Sequence, residues 1–429
     1  MKRFMQWMSF SCLVLCANLS VAQTIAVTGG KLLTQGGAGV IENGTVLMRD
    51  GRIVAVGQHV QVPADALIID ATGKIVTPGL FDPYSEFGVT EVSGVDATVD
   101  AGQSGERFSA SFDVSYAINP RSTLIGVNRI EGITRAAVVP GASWAMPGSI
   151  FSGQAAVIDL AGPGKWLTRS AAAMFVHLGE SGSGLSGGSR VNAMLVLRDG
   201  LEEARDYAGH SHNWEQGAHR EFTLKRKDLD ALQPVLRGET LLLVAVERAS
   251  DITQALQLKK DFGLKLAIVG GAEAWVVAAD LAAANVPVIL DPQRNLPSGF
   301  DSLGSTLENA ARLQKAGVLI AISDGGTYNA RNITQYAGLA VANGLPYEAA
   351  LRAITLNPAR IYGVNTDLGS LEVGKAADLV VWSGDPLELT SFADQVIIRG
   401  KNIPMVSRAT RLRDRYMNLD EPMPLGYKK

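Results

Sequence analysis

From residue 240 onward the chain repeats one hydrophobic plan. The run TLLLVAV at 240–246 is continuously apolar, the texture of a strand buried on both faces. Behind it Ile252, Ala255, Leu256 and Phe262 recur at helical spacing, with Asp251 placed to cap the helix and Gly263 to stop it. The plan returns as a strand at 264–269 with a helix at 272–284, a strand at 286–290 with a helix at 303–316, and a strand at 317–323 with a helix around 332–342. Four consecutive β-α units predict a parallel sheet. Pro346 then opens a further helix, PYEAALRAITLNPARIYG, because proline is tolerated at a first helical position. Upstream, KIVTPGLF, ITRAAVVPG, AAVIDL and AMFVHLG supply more strands, enough to close a barrel of eight. An open doubly wound sheet is the competing architecture, but no phosphate-binding glycine fingerprint follows a strand.

The two ends of the chain have another texture. Residues 24–75 alternate short β-rich runs with turn signals, and Asp50-Gly51 between two alternating runs marks a hairpin. The same texture returns in GSLEVGKAADLVVWSGDP and ADQVIIRGKNI, so both ends are expected to build one small domain. The expected fold class is therefore α/β: a (β/α)8 TIM-like barrel with a small β-sandwich domain built from both chain ends. In residues this means a composite β-domain from 23–76 and 366–406, a barrel at 77–365 and a C-terminal tail at 407–429.

Composition narrows the functional classes. With 47% hydrophobic and 19% charged residues in 429, the chain is neither disordered nor disulfide-dense. A net charge of −3 supplies no basic field for nucleic acid or an anionic membrane. Residues 1–22 read as a secretory signal: Lys2 and Arg3, an apolar run to about Ala17, and Ser20 and Ala22 before Gln23. The run is short of the roughly 20 apolar residues a membrane span needs. Both cysteines, Cys12 and Cys16, lie inside it, so the mature chain is expected to carry no thiol nucleophile or thiolate ligand. The expected destination is the periplasm, with no membrane attachment after signal removal.

A barrel keeps its reactive groups just past the C-terminal ends of its strands. Those positions hold Asp82, Tyr84 and Glu86, then Phe175 and His177, Ala245 and Glu247, Gly270, Asp291 and Asp324. Carboxylates outnumber imidazoles. Glu86, Glu247 and Asp324 are the candidate catalytic groups. Together with His177, which shares strand parity with Phe175, they could hold a hard or borderline cation such as zinc. The bland reading is that these carboxylates pair with arginines or cap loops, and that Asp324 before Gly325-Gly326 is a turn former. His210, His212 and His219 cluster in GHSHNWEQGAHR after a helix at 191–207, where a solvated polar loop is expected; His59 carries no signal. GESGSGLSGGS at 179–189 reads as a flexible loop over the barrel mouth, not a serine nucleophile elbow.

Two signatures resemble the amidohydrolase superfamily. KIVTPGLFDPYSEFG is similar to its first-strand motif, a Pro-Gly-Leu-hydrophobic-Asp run leading into His-x-His, and GSLEVGKAADLVVWSGDP to its C-terminal signature. INP at 118–120, PGSIFSGQAAVI, LGE at 178–180, RASDI and GGAEAW look closest to the imidazolonepropionase-related subgroup. The resemblance covers nearly the whole mature chain. It implies hydrolysis of non-peptide carbon-nitrogen bonds by one or two divalent metals, held by His-x-His, a carboxylated lysine, two further histidines and an aspartate. Carried across, His-x-His falls on Tyr84 and Glu86, the lysine on Phe175, and the two histidines on Ala245 and Gly270. Asp324 alone keeps the family residue. Phenylalanine, alanine and glycine side chains offer a cation no lone pair. The expectation is therefore a degenerate or non-catalytic member with no cofactor at those positions. The alternative is an active hydrolase with a rebuilt carboxylate-rich metal or acid-base site. Partners consistent with the resemblance are a second copy, an intact homologue in a hetero-oligomer, or a small-molecule ligand.

Overall fold

The computed structural model describes residues 24–102, 108–142, 148–215 and 221–417. The signal-like segment 1–22, His219, the side chain of His212 and residues 418–429 of the tail lie outside the described residues. The chain enters through five short strands: β1 (Ile25–Leu33), β2 (Val40–Arg49), β3 (Arg52–Gly57), β4 (Leu67–Asp70) and β5 (Ile75–Pro78). It then runs without a loop into the barrel, whose strands are β6 (Leu80–Ser85), β7 (Ile133–Val138), β8 (Phe151–Asp159), β9 (Leu167–His177), β10 (Leu241–Val246), β11 (Leu266–Gly270), β12 (Val288–Leu290) and β13 (Ile320–Ile322). It returns to the first sheet as β14 (Leu379–Trp382), β15 (Ala393–Ile398) and β16 (Lys401–Ile403).

The small sheet has the order β16-β15-β14-β5-β1-β2-β3, with β4 on β1. β1 serves two partners because it bends: Ile25 to Thr28 pair with β4, and Lys31 and Leu32 with β5. The bend sits at Gly29 and Gly30. A β-carbon on Gly30 would stand 2.8 Å from the Val76 side chain, and Gly29 has φ +76°, so neither position tolerates a side chain cheaply. Both ends of the chain thus share one core, in which Ile25, Val27 and Val76 pack against Leu379, Val381 and Ile397.

The barrel strands follow chain order, β6 to β13. From β9 to β13 all pairings are parallel, as the repeated β-α plan predicts. β8 departs from that plan, running antiparallel to both neighbours. Its link to β9 is too short for a crossover, which needs a dozen residues or more, and turns tightly through Gly162 and Gly164 at φ +102° and +122°. The pleat divides the strands into two cores. Phe81, Ala173, Phe175, Leu243, Ala267, Ile289 and Ala321 fill the lumen. Met174, Val176, Leu242, Val244 and Ile268 face the surrounding helices.

The helices are shorter than the apolar pattern predicts. The expected 272–284 helix is a 3-10 turn plus Ala278–Ala283, and 303–316 contracts to Asn309–Lys315. Trp275 Nε1 donates to the Gly304 carbonyl, and the Gly304 amide donates to Glu273, so the segment before Asn309 is held outside a helix. Asp251 is not a cap. It lies in the first turn of Ala249–Phe262 and accepts from Arg190 and Arg248, while Gly263 does end that helix in the left-handed region. The helix expected at 191–207 extends over Arg190–Glu215 with a kink at His210, so the His-Ser-His letters sit on a helix end, not a loop. No helix among the described residues is long and apolar enough to cross a membrane.

One buried ion network ties the barrel to the small sheet. Arg135 on β7 donates through Nε to Asp378 at 2.6 Å and lies 3.5 Å from Asp159, and all three are buried. Asp378 also accepts the Arg399 backbone amide at 2.8 Å, and the Arg399 guanidinium reaches Asp159. Removing one partner leaves an uncompensated buried charge. Arg135→Gln should therefore lower stability by about 3–5 kcal/mol, read as a drop in the urea midpoint, whereas Arg52→Gln at the exposed pair with Asp367 should cost under about 1 kcal/mol.

Candidate active site at the barrel mouth

No ladder joins β6 to β13. The seam is closed by side chains at the end of both strands. Ser323 Oγ lies 2.7 Å from Asp82 Oδ1 and 2.9 Å from the Tyr84 carbonyl, and it accepts the Gly325 amide at 3.1 Å. One hydroxyl proton cannot serve two acceptors. The arrangement balances when the Asp82 carboxyl donates to Ser323 and Ser323 donates to Tyr84. Burial supports this: Asp82 is fully enclosed and its pKa is pushed up to about 8, helped by the nearby Asp324 charge and opposed by its hydrogen bonds.

Below the mouth an aromatic stack fills the lumen. The Tyr84 and Phe175 rings are 5.6 Å apart, and those of Phe175 and His177 are 4.8 Å apart in an edge-on contact. Phe175 is completely buried. His177 has Nδ1 3.0 Å from Ser181 Oγ, while its buried Nε2 has no partner among the described residues. Burial lowers its pKa to about 4, so the ring is neutral at pH 7. The Tyr84 phenol is pushed up to about 12, first by burial and then by Glu86, with Arg294 opposing. Gly325, at φ +68°, makes room for this ring: a β-carbon there would stand 2.7 Å from it.

Each carboxylate at the mouth already has a partner. Glu86 accepts from Thr90 Oγ1 at 2.8 Å. Glu247 takes Arg294 at 2.5 Å and the Ala272 amide at 2.8 Å; burial raises its pKa and Arg294 partly offsets this. Arg294 also faces Asp291 at 3.9 Å. Asp324 accepts the Gly326 amide at 2.8 Å and the Tyr336 hydroxyl at 3.1 Å. Gly270 lies against Glu247: its β-carbon would meet that carboxylate at 2.5 Å, so the Glu247 side chain occupies the space a larger residue at 270 would need. Ala245 lies half-buried against the lumen core. Glu86, His177, Glu247 and Asp324 thus border one mouth, yet among the described residues no three His, Cys, Asp or Glu side chains gather as a metal would require.

Two features differ from the sequence reading. The segment expected as a loop at 179–189 is helical over Gly179–Leu185, and Gly182 packs so closely on the His177 carbonyl that a β-carbon would stand 2.4 Å away. Arg294, the cation that claims Glu247, carries no sequence signal because it is 47 residues away in a loop with no periodic pattern. His210 pairs with Asp206 at 3.0 Å on its own helix.

The two perturbed groups have opposite linkage. Asp82 holds its proton in the folded chain above pH 4, so its contribution to stability falls as pH rises from about 4 to about 8. His177 resists protonation when folded, so its contribution falls as pH drops from about 6.5 to about 4. The two slopes, each at most about 1.4 kcal/mol per pH unit, cancel between pH 4 and 6.5 and leave a decline from 6.5 to 8. Relative to the parent, Asp82→Asn should remove that decline, and His177→Gln should extend it down to pH 4. Urea midpoints across pH 4–9 check both; parallel curves for parent and variants would count against the assignment.

The profile of the Amidohydrolase family matches residues 242–404. The amidohydrolase tasK of Hapsidospora irregularis is 24% identical over 83% of this chain, although the match spans only 39% of that longer protein. The imidazolonepropionase of Symbiobacterium thermophilum is 27% identical, over 84% of this chain and 90% of its own length. Among solved structures, an amidohydrolase from Thermotoga maritima superposes with a TM-score of 0.80 at 27% identity, covering 89% of this chain and 99% of that one. With the composite sheet, the eight-stranded barrel and both end signatures in place, the chain belongs to the amidohydrolase superfamily of hydrolases.

Proposed function

We propose that this protein is an exported amidohydrolase-fold chain whose barrel mouth recognises a small polar molecule and has given up the family's metal-dependent hydrolysis. The observation that carries the reading is Phe175, completely buried between Tyr84 and His177 at the level where relatives are expected to grip a cation. A zinc-type centre needs convergent lone pairs to hold the cation, and the cation would polarise the carbonyl and lower the pKa of bound water toward about 7. Here Phe175, Ala245 and Gly270 supply none. Glu247 is neutralised by Arg294, whose charge also repels a cation from the same place. The residues present do not fit the family's metal centre.

What remains at the mouth is hydrogen-bonding chemistry above a dry floor: the Tyr84 phenol, the Arg294 guanidinium, and the Asp324–Tyr336 pair. A concave site with an apolar base and a few fixed polar groups suits a small neutral or weakly acidic molecule such as a cyclic amide. Assembly with an intact, metal-bearing homologue would give such a chain a role beside an active partner. Export through residues 1–22 to the periplasm is part of the same proposal.

Elemental analysis of the mature chain tests the central claim. Zinc and manganese should stay far below one per chain after dialysis, and hydrolysis of cyclic imides should not exceed that of a chelator-treated control. Stoichiometric metal, lost on Glu247→Gln and Asp324→Asn together with chelator-sensitive turnover, would establish the rebuilt carboxylate site instead. Amino-terminal sequencing of the periplasmic fraction should begin at Gln23.

A further inference from the structure

A second polar site lies away from the barrel mouth, where the small sheet meets the last barrel helices. It is a cavity of about 490 Å³. Gln35 and Gly36 come from the turn between β1 and β2, Arg352 from the end of Tyr347–Ala353, Arg360 from Leu356–Ile361, and Lys375 from the segment returning to β14. The charges are unequally satisfied. Lys375 is held by Glu372 at 3.0 Å and by Ser370 at 2.6 Å. The guanidinium groups of Arg352 and Arg360 make no ion pair or hydrogen bond with any described residue. The wall therefore presents three cationic side chains against the single carboxylate of Glu372.

Gln35 gives the cavity its second mark. It is only 7% exposed, its Nε2 donates to Glu348 at 3.3 Å, and its buried Oε1 has no partner among the described residues. A buried acceptor without a donor costs stability unless something supplies one. Gln35 lines the cavity, so a donor on a ligand bound beside it is the nearest outside source of that hydrogen bond. Two unpaired guanidinium groups match the oxygens of a carboxylate or phosphate, which arginine takes in paired hydrogen bonds.

We propose that this cavity binds a small oxyanion that carries its own hydrogen-bond donor, with Arg352 and Arg360 holding the anionic oxygens and Gln35 Oε1 accepting the donor. A hydroxy acid and a hydrogen phosphate share that chemistry. Because the lining comes from the β1–β2 turn, the barrel helices and the returning segment, the bound anion would also clamp the small domain to the barrel. The proposal is independent of what the mouth does: it is tested at other residues and without any turnover assay.

Calorimetry on the mature chain at low ionic strength decides it, with inorganic phosphate, malate and succinate as probes. Malate or phosphate should bind one per chain and raise the thermal midpoint, and malate should bind at least several-fold more tightly than succinate, which lacks the hydroxyl. Arg360→Gln, at an exposed position that folding does not require, should weaken binding about tenfold, and adding Arg352→Gln should abolish it. Gln35→Asn, which keeps an amide that tolerates the left-handed backbone there at φ +55°, should erase the preference for malate. Stronger binding of phosphate than of malate identifies the phosphate source, and the reverse identifies the organic acid. No saturable binding, or binding unchanged in the double arginine variant, overturns the proposal.

Discussion

The contact between Asp82 and Ser323 is the point on which both barrel and mouth depend. Every other adjacent pair of barrel strands is stitched by backbone hydrogen bonds, but β6 and β13 have no ladder between them. The carboxyl of Asp82, the hydroxyl of Ser323, the Tyr84 carbonyl and the Gly325 amide complete the circle. That closure works best with a protonated carboxyl, which the fully buried setting favours. The same contact fixes the start of the Tyr84–Glu86 segment and the turn after Asp324. A structural seam and the candidate active site are thus built from the same few atoms.

The upper lumen is governed first by packing. Interior positions must be filled, because dry voids forfeit packing contacts. At the upper level the filling is Tyr84, Phe175 and His177, with Glu247 turned into the space beside Gly270. Aromatic rings and a carboxylate paired with arginine occupy volume as well as a ligand-bearing set would. What they do not provide is a ring of free lone pairs. Packing at this level is therefore met by two rings, an imidazole and an ion-paired carboxylate.

Elsewhere the chain places a buried charged network between its two parts. Arg135, Asp159, Asp378 and Arg399 form a buried network where β7 meets the returning strands. Arg352 and Arg360 instead line an open cavity and make no ion pair with any described residue. The contrast is physical: the first set is sealed from water and must be matched charge for charge, whereas the second is reachable and is open to an ion from outside.

Much of the architecture is legible in the sequence because it rests on local rules. The β-α repeat from 240 to 342, the Asp50-Gly51 hairpin and the two end signatures each encode their element through side-chain period and turn chemistry. That Phe175, Ala245 and Gly270 carry no lone-pair donor is likewise written in the letters. Tertiary structure alone decided the rest. Whether β8 runs parallel depends on how its short link to β9 turns, and Glu247 finds Arg294 only after the segments that follow β10 and β12 are brought to the same end of the barrel. The protonation of Asp82 is the clearest case, since a pKa is set by burial and neighbouring charge, and neither exists until the barrel has closed.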